Sequence, residues 1–185
     1  MPFAYYDRLS PARKEIYRQS DAIATLELPQ GIAVAGPVLE IGDGLARAHR
    51  ATVQKGAQTL IDALVAGFVV PPVDVRVLAA RPSDVDGELH GLYEPDEELP
   101  VARISVWMRT AQKKQVVAFR SFLRTVVHEF LHHLDYEHFK LPETFHTEGF
   151  YKRESSLTNA LFGVTGIALR EPFPASAGSG GKPRG

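Results

Sequence analysis

The sequence predicts a small α+β domain, in which a short mixed or antiparallel sheet of about three strands packs on a long helix and further helices. Three observations predict this class. Apolar residues recur at helical spacing between Phe119 and Leu134. Strand-like runs with β-branched residues lie between residues 73 and 108. The 185 residues, 44% of them hydrophobic, suffice for one core, so we expect a single domain over residues 1–172.

The N-terminal part is predicted to be helical with one loop. Ser10 and Pro11 are typical of a helix N-terminus, so we expect a first helix from Ala12 to Ser20. Closely spaced glycines and prolines predict a loop from Pro29 to Gly44. Apolar spacing then predicts one long amphipathic helix from Leu45 to about Gly67, which the prolines after it bring to an end.

The middle of the chain is predicted to form the sheet. Val73 to Ala80 alternates apolar and polar residues and is expected to be the first strand. Arg81 to Gly87 is predicted as a turn region, and Glu88 to Tyr93 as a second, more exposed strand. Glu94 to Pro100 reads as an acidic loop. Val101 to Met108 is expected to be the third strand.

Two helices and a tail are predicted after the sheet. A long helix, called the motif helix after the sequence motif at residues 128–132, is expected from about Gln115 to Phe139. Leu141-Pro142 breaks it, since the residue before a proline avoids the helical region. A last helix is expected from about Thr147 to Leu161. The small and polar residues of 173–185 predict a disordered tail.

The composition excludes several classes of protein. A formal charge of −1 argues against a dedicated nucleic-acid surface, and the lack of cysteine excludes disulfides and cysteine-ligated zinc. The N-terminus lacks the basic and apolar regions of a signal peptide. The most apolar stretch, Leu60 to Val70, contains Asp62 and Gly67 and is too short to span a bilayer. We therefore expect a cytoplasmic protein without a membrane partner, in which histidines and carboxylates hold any metal.

The motif helix carries the pattern His-Glu-x-x-His at residues 128–132. His128 and His132 are four residues apart, so they share one face of the helix and are able to bind one ion together. Glu129 then lies beside the position that a catalytic zinc leaves to water, and it is expected to act as the general base. Buried histidines and a glutamate would be costly without such a partner, so we expect Zn²⁺ at this position.

A catalytic zinc site needs a third protein ligand, and the candidates are His133, His138, Glu143, His146, Glu148 and Glu154. His138 stands at the spacing of the third histidine in metzincins, but Asp135 replaces the glycine that turns the chain there. Glu148 or Glu154 as ligand would instead give a site completed by a carboxylate from the following helix.

His146 is the favoured third ligand, because it follows the break at Pro142 and the chain is able to fold back toward the first two histidines. His133 points about 100° away from His132 around the helix and is expected to lie outside the ligand set. Asp135, one turn after His132, is interpreted as a hydrogen-bond acceptor for a ligand imidazole.

The segment His146-Thr-Glu-Gly-Phe150-Tyr151 resembles the His-x-x-x-Phe segment that follows His-Glu-x-x-His in the SprT/Spartan, WLM and YgjP-like group of zincin-type zinc metallopeptidases. The resemblance extends over about Val73 to Phe162. It implies a zincin-like domain in which His146 is the third zinc ligand and Phe150 packs under the site. It also implies that the chain is a zinc peptidase.

The predicted function is therefore hydrolysis of a peptide bond in a protein or peptide substrate. Candidates for stabilising the oxyanion are Tyr93, His133, Tyr136 and Tyr151, and the strand Glu88 to Tyr93 is a candidate for pairing with an extended peptide.

Two alternatives stay open: a non-catalytic binding module, and a Spartan-like protease acting on DNA-bound proteins. Four basic residues near the motif helix bear on the second alternative: Lys113, Lys114, Arg120 and Arg124. Nucleic acid is not favoured as a partner, and the sequence leaves the oligomeric state open.

Overall fold

A computed structural model describes residues 3–84, 87–95 and 101–166 of the chain. These residues form the predicted α+β fold, with five helices and a three-stranded mixed sheet. The predicted tail at residues 173–185 and most of the acidic loop lie outside the described residues. The elements, in chain order, are α1 (Pro11–Ala22), α2 (Ala35–Ala46), α3 (Arg50–Phe68), β1 (Val73–Ala80), β2 (Ser83–Asp84), β3 (Gly87–Glu88), β4 (Gly91–Glu94), β5 (Ala102–Arg109), α4 (Phe119–Glu137) and α5 (Glu148–Gly163).

Helix α1 begins where the sequence predicts. The Ser10 hydroxyl accepts a hydrogen bond from the backbone N–H of Arg13, and Pro11 occupies the first helical turn. Serine at this position satisfies one of the N–H groups that a helix start leaves without a partner, and proline has no N–H to lose there. The prediction of a first helix is confirmed, and the helix continues to Ala22.

The predicted loop from Pro29 to Gly44 is wrong over its second half, because residues 35–46 form α2. The single helix predicted from Leu45 to Gly67 is likewise wrong, since the chain turns at Ala48, whose φ is 53°, and starts again as α3. Gly44 explains the error. A Cβ at this position would lie 2.8 Å from the backbone nitrogen of Val53, so Gly44 serves the close packing of α2 on α3 rather than a break.

The three-stranded sheet has the order β1-β5-β4. Strand β1 runs parallel to β5, and β4 pairs antiparallel on the other side of β5, so the sheet is mixed. The first and third predicted strands are confirmed within one residue at each end. The second, predicted from Glu88 to Tyr93, is confirmed only for residues 91–93, which lie in β4, whereas Glu88 lies in β3. The predicted turn region contains the short antiparallel pair β2–β3.

The outer edge of β1 is covered by side chains of α3. Gln58 accepts a hydrogen bond from the backbone N–H of Val75 and donates to the carbonyl of Val73. Gln54, one turn earlier, accepts from the N–H of Val77 and donates to the carbonyl of Val75. The two amides therefore hydrogen-bond with this edge as a neighbouring strand would.

The motif helix is observed as α4, which lies between β4 and α5. Its buried face is apolar and includes Phe122, Leu123, Val126, Val127, Phe130 and Leu134. The predicted last helix is observed as α5, and the Thr147 hydroxyl accepts a hydrogen bond from the N–H of Phe150 at its start. Among the described helices, none combines the length and apolar character that crossing a bilayer requires.

The role of Gly44 is testable with two alanine variants in the same helix. We expect Gly44→Ala to lower the free energy of unfolding by about 1–3 kcal/mol, because its methyl group overlaps with Val53. Gly36→Ala meets no atom within 4 Å, so it should be neutral or stabilise by up to about 1 kcal/mol. Urea denaturation followed by circular dichroism measures both. Equal effects of the two substitutions would contradict the packing role.

Candidate metal centre

Three histidine side chains converge beside the cleft that α4 and β4 line. The Nε2 atom of His146 lies 2.9 Å from Nε2 of His128 and 3.2 Å from Nε2 of His132. The three residues form a group whose candidate ligand atoms all lie within 4.8 Å of one another. His128 and His132 come from successive turns of α4, whereas His146 comes from the segment that follows it.

The chain reverses after α4 and brings His146 back. Lys140 has a left-handed backbone with φ of 54°, and the N–H of Leu141 donates to the carbonyl of Asp135 across the helix end. The ring of Phe150, at the start of α5, lies 5.0 to 5.2 Å from each of the three imidazoles, centre to centre. Phe150 therefore packs against all three imidazoles, as the resemblance implied.

The Nδ1 atoms of the two α4 histidines are held by oxygen atoms. His128 Nδ1 lies 2.7 Å from Oε2 of Glu154, and His132 Nδ1 lies 2.9 Å from the hydroxyl of Thr144. Thr144 in turn donates to Oδ2 of Asp135 at 2.7 Å. Because Thr144 gives its proton to Asp135, it accepts the one on His132 Nδ1. Both histidines then carry their proton on Nδ1 and present an unprotonated Nε2.

This donor set fits a metal ion. The Nε2 atoms of His128 and His132 face Nε2 of His146 at 2.9 and 3.2 Å, so one cation is able to accept a lone pair from each of the three rings. Around a tetrahedral ion with bonds of roughly 2.0–2.1 Å, neighbouring nitrogens are about 3.3 Å apart, close to the observed spacing. Burial, followed by the charges of His128 and His146, lowers the pKa of His132 to about 3, so protons compete little for it. Three neutral imidazoles suit Zn²⁺, and also Co²⁺, Ni²⁺ and Cu²⁺.

Glu129 lies next to the three histidines without being one of the clustered ligands. Its side chain packs against Gly91 of β4, where any Cβ would lie 2.3 Å from Oε1. The backbone N–H of Tyr93 donates to the carboxylate. Only 6% of Glu129 is exposed, and this burial raises its pKa to about 7, against the opposing effects of His128 and the Tyr93 amide. Such a carboxyl group is able both to accept and to donate a proton near neutral pH.

The other candidate ligands lie outside the cluster. His138 is exposed at the end of α4, where its ring contacts Phe68 and Phe139. Glu148 is exposed and forms an ion pair with Lys152. Glu154 is the acceptor on His128 Nδ1 and also pairs with Arg124. Of the candidate third ligands named from the sequence, His146 is the one that the structure brings to His128 and His132.

Two of the four candidates for oxyanion stabilisation, Tyr93 and His133, contact each other. His133 is buried, with Nε2 3.0 Å from the carbonyl of Pro71 and Nδ1 3.0 Å from the hydroxyl of Tyr93. The hydroxyl of Tyr93 and both ring nitrogens of His133 are therefore engaged in contacts within the protein. Tyr136 lines the cleft together with the candidate ligands, and the ring of Tyr151 stacks on His146 at 5.9 Å, centre to centre.

Arg153 is a part of this site that the sequence did not reveal. It is completely buried on α5 and donates to Oδ1 of Asp135 at 2.8 Å. It also donates to the carbonyls of Ser20 and Ile23, at the end of α1. Asp135 thus acts on His132 indirectly, through Thr144, rather than as its direct acceptor. The only sequence signal was an arginine within an otherwise buried face of α5.

The N-terminal segment also contributes to the site. The hydroxyl of Tyr5 donates to the backbone carbonyl of His146 at 2.8 Å, and its ring stacks on Phe145. Burial raises the pKa of Tyr5 to about 12, so the phenol stays protonated and remains a donor. Asp21, at the end of α1, accepts a hydrogen bond from the N–H of Gly149. Residues far apart in sequence therefore fix the segment that carries His146.

A cleft of about 1090 Å³ runs along the histidine cluster. One wall is formed by β4 and the residues before it, and the other by α4 with Thr144, His146 and Glu154. His128, Glu129 and His132 all face it. The space is large enough for several residues of an extended peptide, and the candidate ligands are reached from it.

Comparison with known proteins finds no matching family model, no matching curated protein and no matching solved structure. The resemblance to the SprT/Spartan, WLM and YgjP-like group stays a prediction from the sequence motif.

The contact between Tyr5 and His146 predicts a measurable effect on metal binding. We expect Tyr5→Phe to weaken binding of Zn²⁺ or Co²⁺ by about tenfold, within the range found when residues that orient metal ligands are removed. Tyr6→Phe is the control, because the hydroxyl of Tyr6 contacts Arg18 on the surface instead. Competition with a chromogenic chelator measures the affinities. If both variants bind the metal like the parent, Tyr5 has no part in positioning His146.

Proposed function

We propose that this chain is a zinc-dependent peptidase that hydrolyses peptide bonds of a protein or peptide substrate. The observation that carries the proposal is the convergence of three histidine side chains, whose candidate ligand atoms lie within 4.8 Å of one another, beside a buried glutamate in an open cleft. Metal sites of this kind, with three protein ligands and one free position, are typical of catalytic zinc rather than structural zinc.

The proposed chemistry divides between the ion and Glu129. A zinc ion held by His128, His132 and His146 would polarise the scissile carbonyl and acidify a water molecule. Glu129 would take the proton from the attacking water and deliver it to the leaving amine, a role that its buried position next to His128 supports. Glu154 and Thr144 keep the imidazoles of His128 and His132 in the required orientation.

The cleft supports a chain-like substrate. Strand β4 has no neighbouring strand on its outer side among the described residues, and it forms part of the cleft wall. Because an exposed strand edge is able to hydrogen-bond with an extended peptide, the substrate backbone would be aligned past Glu129.

The alternatives have less support. A non-catalytic module has no need of a buried glutamate beside the metal ligands. For a DNA-directed protease, the basic residues would have to form a common surface. Arg124 instead pairs with Glu154 within the cleft, and Arg120 lies over the ring of Phe162.

The ligand assignment is tested by metal content. We expect untagged protein to retain one equivalent of zinc after dialysis, measured by inductively coupled plasma mass spectrometry. His146→Ala should lose the metal as fully as His128→Ala does, because each removes one of three nitrogens. His138→Ala is the matched control and should keep it, since that ring contacts Phe68.

Normal zinc content in His146→Ala, or loss of zinc in His138→Ala, would refute this ligand set. A parent protein that loses its metal during the first dialysis would argue against the peptidase altogether.

The role of Glu129 is tested by Glu129→Gln, which preserves shape while removing the base. We expect the variant to keep zinc and fold, and to lose peptide hydrolysis by at least about a hundredfold. Cleavage is followed on a panel of internally quenched peptides and on unfolded protein. Glu137→Gln, on the exposed side of the same helix, should cleave like the parent. Full activity of Glu129→Gln would rule out this mechanism.

A further inference from the structure

Arg124 lines the cleft and is linked through Glu154 to the candidate metal ligand His128. It lies on α4 one turn before His128, lines the cleft and is half exposed. Its Nε atom donates to Oε1 of Glu154, whose other oxygen holds His128 Nδ1. One carboxylate therefore links the guanidinium to a candidate metal ligand and fixes both relative to each other.

The Nε atom of the Arg124 guanidinium is hydrogen-bonded to Glu154, and the two Nη groups remain to bind a ligand. Only 3% of the Glu154 side chain is exposed, so the anchoring carboxylate is itself rigidly placed. Within the described residues, Glu154 is the hydrogen-bond partner of Arg124, and the bond uses Nε. Both Nη groups are left for another acceptor. A guanidinium held in this way presents a planar pair of donors that matches a carboxylate and loses little freedom on binding it.

The charges along the cleft favour an anionic ligand. Arg81 and Arg124 are the cations of the described lining, and Glu129 and Glu154 are its acids. Glu154 already pairs with Arg124 and His128. With a divalent cation on the three histidines, positive charge exceeds negative charge along this wall, and such a wall attracts negatively charged groups.

We propose that Arg124 forms a carboxylate-binding subsite beside the metal centre, and that it selects substrates that place a carboxylate there. The inference rests on the proposed peptidase function and names the feature of the substrate that the cleft recognises. Because Arg124 contacts the substrate and not the reacting atoms, it determines specificity. The carboxylate belongs either to an Asp or Glu side chain or to the C-terminus of the chain being cleaved.

The subsite is tested by ligands that need no turnover. Linear hydroxamic acids bind zinc at one end, and a series with spacers of graded length carries a carboxylate or the matching amide at the other end. We expect the zinc-loaded protein to bind the best-spaced carboxylate about tenfold more tightly than its amide, by isothermal titration calorimetry. Arg124→Gln should bind the two equally.

Arg120→Gln is the matched control, because this arginine lies one turn earlier on α4 and over Phe162, outside the cleft lining. It should keep the full preference for the carboxylate. The ratio between carboxylate and amide is unaffected by a general loss of zinc affinity, which weakens both ligands alike. A preference that persists in Arg124→Gln, or is absent from the parent at every spacer length, overturns the proposal.

Two peptide sets then separate the sources of the carboxylate, measured as binding to zinc-loaded Glu129→Gln protein. C-terminally amidated peptides that differ by one Glu or Gln report a side-chain carboxylate. Peptides with free or amidated ends report a C-terminal one. A preference lost in Arg124→Gln in either set supports the proposal, and no preference in both sets overturns it.

Zinc content is measured first, so the two proposals fail separately. A chain that binds no zinc refutes the peptidase, whereas a zinc-loaded chain that binds carboxylate and amide ligands equally refutes the carboxylate subsite alone.

Discussion

The buried charge of Arg153 is the constraint on which the site depends. Taking a guanidinium out of water costs several kcal/mol unless hydrogen bonds replace the lost water. Arg153 meets this requirement at both Nη groups, with Asp135 on α4 and with carbonyls at the end of α1, while its guanidinium lies over the rings of Phe139 and Phe150. The pair therefore joins α1, α4 and α5 in a single arrangement. Because Asp135 also binds Thr144, the same charge fixes the orientation of His132.

His146 shows how a candidate third ligand is fixed although it lies outside a helix. Tyr5 binds its carbonyl, Thr147 begins α5 directly after it, and Asp21 holds the N–H of Gly149. The ring of Phe150 packs against the His146 imidazole and limits its position. The segment is thus restrained from both sides by residues of the N-terminal region and of α5. The N-terminal region and α1 therefore help to fix a candidate metal ligand without supplying one.

Local patterns predicted the parts of the site that lie on one helix. The four-residue spacing identified His128 and His132, and Pro142 indicated that the chain would reverse before His146. Tyr5 was missed because its partner His146 lies 141 residues away, and no spacing rule relates such positions. Arg153 was missed because its partners lie on other helices: Asp135 on α4, and carbonyls at the end of α1 that are at least 130 residues away. Gly44 was misread for a related reason: glycine favours both a turn and close helix packing, and only the position of Val53 distinguishes the two. Glu154 was a candidate ligand, but its carboxylate instead contacts Nδ1 of His128, whereas Nε2 of that ring faces the other histidines.

The glutamine pair on α3 affects how this protein behaves among other chains. Gln54 and Gln58 use the hydrogen-bonding groups that β1 would otherwise present at its outer edge. Natural sheets must block such edges, because an open edge recruits strands from other molecules and leads to aggregates. Here the block consists of side-chain amides rather than charge or proline. Strands of other molecules are therefore unable to pair with β1, and fibrous self-assembly through this edge is disfavoured. The opposite edge of the sheet, β4, stays accessible to a bound chain.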